Sequence, residues 1–228
     1  MKREYELWFN QVNPKPPHEL RNKLGAAMLA YTTLKTGQIG IGGSTGAVLE
    51  RNLRGLRDLI DRSLAEVRIE SGKQSKERIL VSELVDEIEL DAYLEANARG
   101  VTFTVRPVEP GLEVEADRAI LAAAVVNLLQ NAFKFSRLHG HVSLQVSTTA
   151  DRVFFEIEDE CGGLPAGDTE RFFRPFTQDG RNREGLGLGL SISRRGVEAD
   201  GGEIQVRDLP GKGCVFTIAL PTYEAVQA

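Results

Sequence analysis

The chain lacks most of the features that would assign it to a special class at once. Only two of its 228 residues are cysteine, and only one is tryptophan. Cys161 and Cys214 lie far apart in sequence and fit no metal-ligand spacing, so they read as reduced, small apolar residues rather than a disulfide framework. No run approaches the roughly 18 apolar residues of a membrane span. The opening Met-Lys-Arg-Glu-Tyr-Glu is followed by no apolar signal core. A cytoplasmic protein with no membrane contact in this chain is therefore expected. Excess positive charge is also missing, because the net charge is −5 with 41% hydrophobic residues, and nucleic acid is not an expected partner. The length allows one or two compact domains.

The patterns that are present divide the chain. Apolar residues recur at 20, 24, 27, 28, 31 and 34, then at 49, 53, 56, 60 and 67, with Ser63 taking one seam position. Both spacings are helical, and the second keeps the period of about 3.5 residues that marks a coiled-coil-like seam. Residues 36–46 are too glycine-rich to continue either helix. A helical hairpin over residues 1–72 follows. Two striped helices cannot bury both stripes alone, so pairing with a second copy into a four-helix bundle is expected, which makes the chain a homodimer.

A polar stretch broken at Gly72 marks a linker to a second domain over 77–222. Its pattern predicts strands near 77–80, 101–105, 112–115, 141–148, 152–159, 203–207 and 213–220. Helices are predicted over 82–99, 117–136 and 186–199, with a polar loop reaching 184. Helices and strands mix without regular alternation, which suggests an α/β sandwich with helices over one face of a largely antiparallel sheet. The class as a whole is α+β.

Three elements of this domain carry chemistry. On the helix at 117–136, Asn127, Asn131 and Lys134 share a face, while Val125, Leu128, Leu129 and Ala132 turn to the core. Amide oxygens suit the shell of Mg²⁺, with Asn131 the expected ligand, and a lysine suits the phosphates such an ion bridges. Asp159 ends an alternating strand just before Gly162-Gly163, where a side chain can leave the sheet and point into a cavity. An acceptor-only carboxylate there matches the exocyclic amine of adenine and rejects the carbonyl of guanine. Gly185, Gly187 and Gly189 open a helix whose N–H groups and dipole favour phosphate. Their spacing is neither the dinucleotide fingerprint nor a P-loop. Together the three elements ask for Mg²⁺ and ATP. The aromatics of Arg171–Phe176 can anchor a hinge for the polar loop that follows, and His139 and His141 read as surface residues of a turn.

These residues resemble the ATP-binding domain of sensor histidine kinases, within the wider ATPase class that includes gyrase and MutL (a Bergerat-type sandwich). Asn127 and Asn131 resemble the family's N box, Asp159–Gly163 its first glycine box, Arg171–Phe176 its F box and Gly185–Gly189 its second glycine box. Gly211–Phe216 with Leu220-Pro221 is similar to the terminal glycine turn and strand. Cys161 stands where the family usually has glycine and should narrow the site without removing the aspartate.

His18-Glu19-Leu20-Arg21-Asn22 resembles the phosphoacceptor motif. The resemblance implies that His18 attacks the γ-phosphate, Glu19 takes its proton and Asn22 positions water for dephosphorylating a response regulator. A neutral imidazole beside a carboxylate, with an amide one turn on, suits that chemistry. Lys23 replaces the usual proline, and Pro14, Pro16 and Pro17 place His18 at a helix start rather than deep in a helix. The seventeen residues before His18 are too few for a sensor domain, so the chain is expected to be a fragment or to rely on a separate sensing partner.

The partners implied are a second copy and a receiver domain. A non-catalytic phosphotransfer or scaffold dimer with a degenerate ATP domain is the alternative, against which the intact Asn131, Lys134, Asp159 and three glycines argue. A serine-directed kinase or ATP-driven clamp needs neither the His-Glu-x-x-Asn segment nor the hairpin.

Overall fold

The computed structural model describes residues 75–165, 169–175, 177 and 187–223, together with isolated positions between 24 and 34 and between 45 and 53. The chain divides into two units, Met1–Leu64 and Ala65–Ala228. In the first, every described position is helical, including Thr45 and Gly46, which the glycine-rich break had placed outside both helices. A helix tolerates a single glycine at a cost of about 1 kcal/mol. Within this unit Ala27 and Ala30 are buried, whereas Leu24, Leu29, Tyr31 and Leu53 are at least half exposed. The hairpin's connection and its second-helix seam beyond Leu53 lie outside the described residues, as do the linker and the proline run.

The second unit follows the sequence pattern closely. Its elements are β1 (Lys76–Leu80), α1 (Val81–Ala98), β2 (Thr102–Val105), β3 (Glu113–Asp117), α2 (Arg118–Phe135), β4 (His141–Thr148), β5 (Arg152–Asp159), a 3₁₀ turn (Thr169–Phe173), α3 (Gly189–Ala199), β6 (Glu203–Leu209) and β7 (Gly213–Pro221). Strands β2-β4-β5-β7-β6 form one sheet, with only β2 and β4 parallel, and β1-β3 form a small antiparallel pair. The polar loop before α3 contains the 3₁₀ turn, which periodicity did not predict.

Register explains the layering. Ile157 sits between Leu144 and Phe216, and Phe155 between Val146 and Ile218, so one sheet face presents an apolar row that α1, α2 and α3 cover. The alternate residues Ser143, Gln145, Glu156 and Glu158 point to the other, polar face. On α2, Ile120, Leu121, Ala124, Val125, Leu128, Leu129, Ala132 and Phe133 are buried. This apolar stripe along the helix is what fixes the rotation of the asparagine face.

The start of α2 is capped by Asp117, whose Oδ1 accepts from the N–H groups of Ala119 (3.1 Å) and Ile120 (3.2 Å). The backbone N–H of Asp117 donates to Asp200 Oδ2 at 3.1 Å, and Asp200 Oδ1 faces Lys76 Nζ at 3.8 Å. This corner joins β1, the head of α2 and the end of α3. His139 and His141 are both exposed, as expected, but only His139 lies in the turn, His141 being the first residue of β4.

Candidate functional site

The site grows from the ends of β5 and β7. Asp159 is the last residue of β5, pairs across the sheet with Cys214, and is 3% exposed. Its Oδ1 accepts from the N–H groups of Cys161 (3.0 Å) and Cys214 (3.2 Å), and the Cys214 thiol donates to Oδ2 at 3.2 Å. Two backbone donors and a thiol hold the plane of the carboxylate. A carboxylate offers about four acceptor positions, so among the described residues one direction is left for a further donor.

The turn after Asp159 is built for close approach. Gly163 takes φ +102°, a conformation that side chains oppose, beside Asp208 Oδ1, which accepts the Leu164 N–H at 2.7 Å. Gly162 N–H donates to Lys212 O at 3.0 Å, tying this turn to the one before β7. There Gly213 packs so tightly that a Cβ would lie 1.7 Å from Asp159 O. The first and last glycine motifs thus form a single backbone unit around the carboxylate.

Cys161 and Cys214, read from sequence as unrelated, are neighbours here, with their sulfurs 3.8 Å apart and both thiols free. Cys161 is half-buried and Cys214 buried. The Cys161 thiol, burial and the Asp159 charge, in that order, push the Cys214 thiol far above the ordinary thiol range, so it stays protonated and donates to the carboxylate. Sequence separation hid this contact. The signal that could have found it is the strand pairing that places residue 214 opposite Asp159.

On α2, Asn127, Asn131 and Lys134 are half-buried along one face. Asn127 Nδ2 donates to Ser193 Oγ at 3.1 Å, so this amide links α2 to α3, and Ser193 is a partner the sequence did not point to. Lys134 lies 5.0 Å from the Phe135 ring centre.

Helix α3 begins at Gly189, three residues later than its pattern suggested, with Leu188 at its N-cap and Gly187 just before. Among the described residues no side chain caps its first N–H groups, an arrangement that suits an anion. In the 3₁₀ turn, Phe173 is buried beneath Arg194 of α3, whose guanidinium pairs with Glu170 and Glu198 and is raised further above its ordinary pKa by them, Glu170 first. The aromatic anchor expected for the loop is therefore clamped to α3. Gly185, Phe176, His18, Glu19 and Asn22 lie outside the described residues.

A buried carboxylate with one open acceptor position, an amide and ammonium face, and an uncapped helix start form a donor set that fits an adenine nucleotide with its metal. That is the class the comparisons return. Residues 116–224 match the family described as histidine kinase-, DNA gyrase B-, and HSP90-like ATPase, and the α/β unit carries an ATP-binding domain of that type.

The relatives include proteins named as sensor kinases. The alginate biosynthesis sensor protein KinB of Pseudomonas aeruginosa is 29% identical over 226 residues, 96% of this chain and 38% of that protein. The adaptive-response sensory kinase SasA of Parasynechococcus marenigrum (strain WH8102) is 31% identical over 225 residues, 91% of this chain and 55% of that protein. The chain thus spans about half the length or less of these curated relatives. Among solved structures, full-length ShkA in complex with AMPPNP superposes with a TM-score of 0.66 at 26% identity, covering 79% of this chain and 38% of that one. The catalytic domain of histidine kinase ThkA gives 0.58 at 25%, covering 64% and 97%. Among the described residues no helix is long and apolar enough to cross a membrane.

Proposed function

We propose that this chain is the catalytic portion of an ATP-dependent protein-histidine kinase of a two-component system, acting in the cytoplasm as a homodimer. It autophosphorylates His18, passes the phosphoryl group to an aspartate of a response regulator, and also dephosphorylates that regulator. The observation that carries this reading is the Asp159 carboxylate, buried yet held with one acceptor direction to spare, in a domain matched to the kinase and gyrase ATPases.

In this reading Asp159 accepts from the adenine amine, and the glycines at 163, 185, 187 and 189 bring backbone N–H groups to the nucleotide. Asn131 holds Mg²⁺, Asn127 sets the distance between α2 and α3, and Lys134 faces the phosphates. Bound Mg²⁺ would supply charge neutralisation at the phosphate oxygens. On the first unit, His18 is the nucleophile, Glu19 receives its proton, and Asn22 orients water for the reverse hydrolysis. The half-exposed Leu24, Tyr31 and Leu53 support pairing with a second copy, since single-chain burial leaves these members of the apolar stripes wet.

The test is to incubate the chain with labelled ATP and Mg²⁺ and follow the label through acid treatment. An acid-labile label that disappears in His18→Gln, while ATP binding persists, is the expected outcome. Acid-stable label would point to a serine-directed kinase, and wild-type labelling of the His18→Gln variant would remove His18 from the mechanism.

A further inference from the structure

The thiols and the carboxylate at the head of the sheet have a geometry that neither catalysis nor packing requires. Asp159, Cys161 and Cys214 each present one ligand atom, all within 4.8 Å of one another. The two sulfurs are 3.8 Å apart, and Cys214 Sγ lies 3.2 Å from Asp159 Oδ2. In a tetrahedral zinc site with Zn–S bonds of about 2.3 Å, two sulfurs stand about 3.8 Å apart, and a sulfur and a carboxylate oxygen about 3.5 Å. The sulfur pair already matches one edge of that tetrahedron. The sulfur–oxygen pair is within a few tenths of an ångström of another.

We propose that Asp159, Cys161 and Cys214 form a binding site for a thiolate-preferring divalent cation of the zinc class. Occupation of this site and binding of nucleotide exclude one another. Two soft sulfurs with one carboxylate select zinc or cadmium over magnesium, which prefers oxygen donors. The trio is preorganised. Asp159 and Cys214 are directly opposed on β5 and β7, and Cys161 sits in a turn that Gly162 N–H ties to Lys212 O in the turn between β6 and β7. Cys161 is only half-buried, so the metal enters from its side and water completes the fourth position.

Binding releases both thiol protons to solvent, leaving two thiolates and one carboxylate around the dication. Asp159 Oδ2 then points at the metal instead of outward. Exclusion of nucleotide rests on the proposed adenine role of Asp159, whereas the metal site itself does not.

The experiment titrates the full chain with Cd²⁺ under a non-thiol reductant and follows the cadmium–thiolate absorption in the ultraviolet. Wild type should saturate at one Cd²⁺ per chain, and Zn²⁺ should erase the band. Cys161→Ser and Cys214→Ser should each weaken binding by at least about tenfold. The half-buried Cys161 position guards against a folding artefact at the buried Cys214.

ATP affinity, with excess Mg²⁺, should fall in wild type when Cd²⁺ saturates the site and stay constant in Cys161→Ser. The variant also controls for chelation of Cd²⁺ by ATP. No saturable thiolate band, or wild-type Cd²⁺ affinity in either serine variant, overturns the site. A saturated site with unchanged ATP affinity overturns the exclusion. Loss of ATP binding in the metal-free wild type would instead strike the nucleotide reading and leave the metal result intact.

Discussion

Two of the buried aspartates of the ATPase unit make a pair of opposites, one at the end of β5 and the other just after α3. Asp159 and Asp200 are 3% and 4% exposed, so burial alone does not separate them. Their donors do. Asp159 receives two backbone N–H groups and a thiol, all within 3.2 Å. Asp200 receives one backbone N–H, from Asp117 at 3.1 Å, and a partly exposed Lys76 at 3.8 Å. The first carboxylate is surrounded by the two glycine turns with an acceptor direction left over. The second spends itself joining three elements and faces no site. A buried carboxylate becomes a recognition group when its donors fix it and its surroundings leave room for a ligand.

The sharpest way to break the Asp159 end is through its backbone. Gly213→Ala would place a Cβ 1.7 Å from Asp159 O and 2.7 Å from Asp159 C, main-chain atoms that cannot swing aside. The β5–β7 pairing must part there. The expected result is a loss of about 3 kcal/mol or more in urea unfolding, together with loss of ATP binding. A stable variant that still binds ATP would mean that the two glycine turns do not act as one unit.

A milder change addresses recognition alone. Asp159→Asn keeps an acceptor for the N–H groups of Cys161 and Cys214 but turns an amide donor toward the Cys214 thiol and toward any adenine amine. ATP affinity should fall by about tenfold or more, with the fold retained by circular dichroism. Unchanged affinity in calorimetry would remove Asp159 from adenine recognition.

The contrast between the two carboxylates also explains what could be read from the chain. Asp159 was legible because its evidence is local: an alternating strand, then Gly162-Gly163. The face of α2 was legible for the same reason, since helical period alone sets Asn127, Asn131 and Lys134 together. Asp200 carries no such signature, because its backbone partner Asp117 lies 83 residues away and is joined to it only by the packing of α2 on α3. The same holds for Cys161 and Cys214, 53 residues apart, and for Asn127 and Ser193, 66 apart. Strand and helix periods report which way a residue faces. They are silent on what comes to meet it from another element. The 3₁₀ turn escaped for a different reason: five residues are too short a span for a period to register.

The smallest effect, and the one that tests the other half of the comparison, comes from Asp200→Asn. Burial holds the Asp200 carboxyl above the ordinary aspartate value of 3.8, outweighing the opposing pull of the Asp117 N–H and then of Lys76. A carboxyl whose folded pKa is raised favours the folded state while protonated. Its contribution is fully present below the unfolded value and is lost as pH rises through the folded one. At neutral pH the corner therefore carries an uncompensated part of the cost of a buried charge. Asparagine keeps an oxygen for the Asp117 N–H, removes the charge, and lets the partly exposed Lys76 turn to solvent. The variant should melt higher than wild type at pH 7 by up to about 2–4 °C, the shift that roughly 1 kcal/mol makes in a chain of this size. The gain should shrink as the pH is lowered through the folded pKa toward 3.8 and below. ATP affinity should not change. A variant that melts lower at pH 7 would mean that the Lys76 pair outweighs the burial cost, making Asp200 as well compensated as Asp159 and removing the distinction drawn between them.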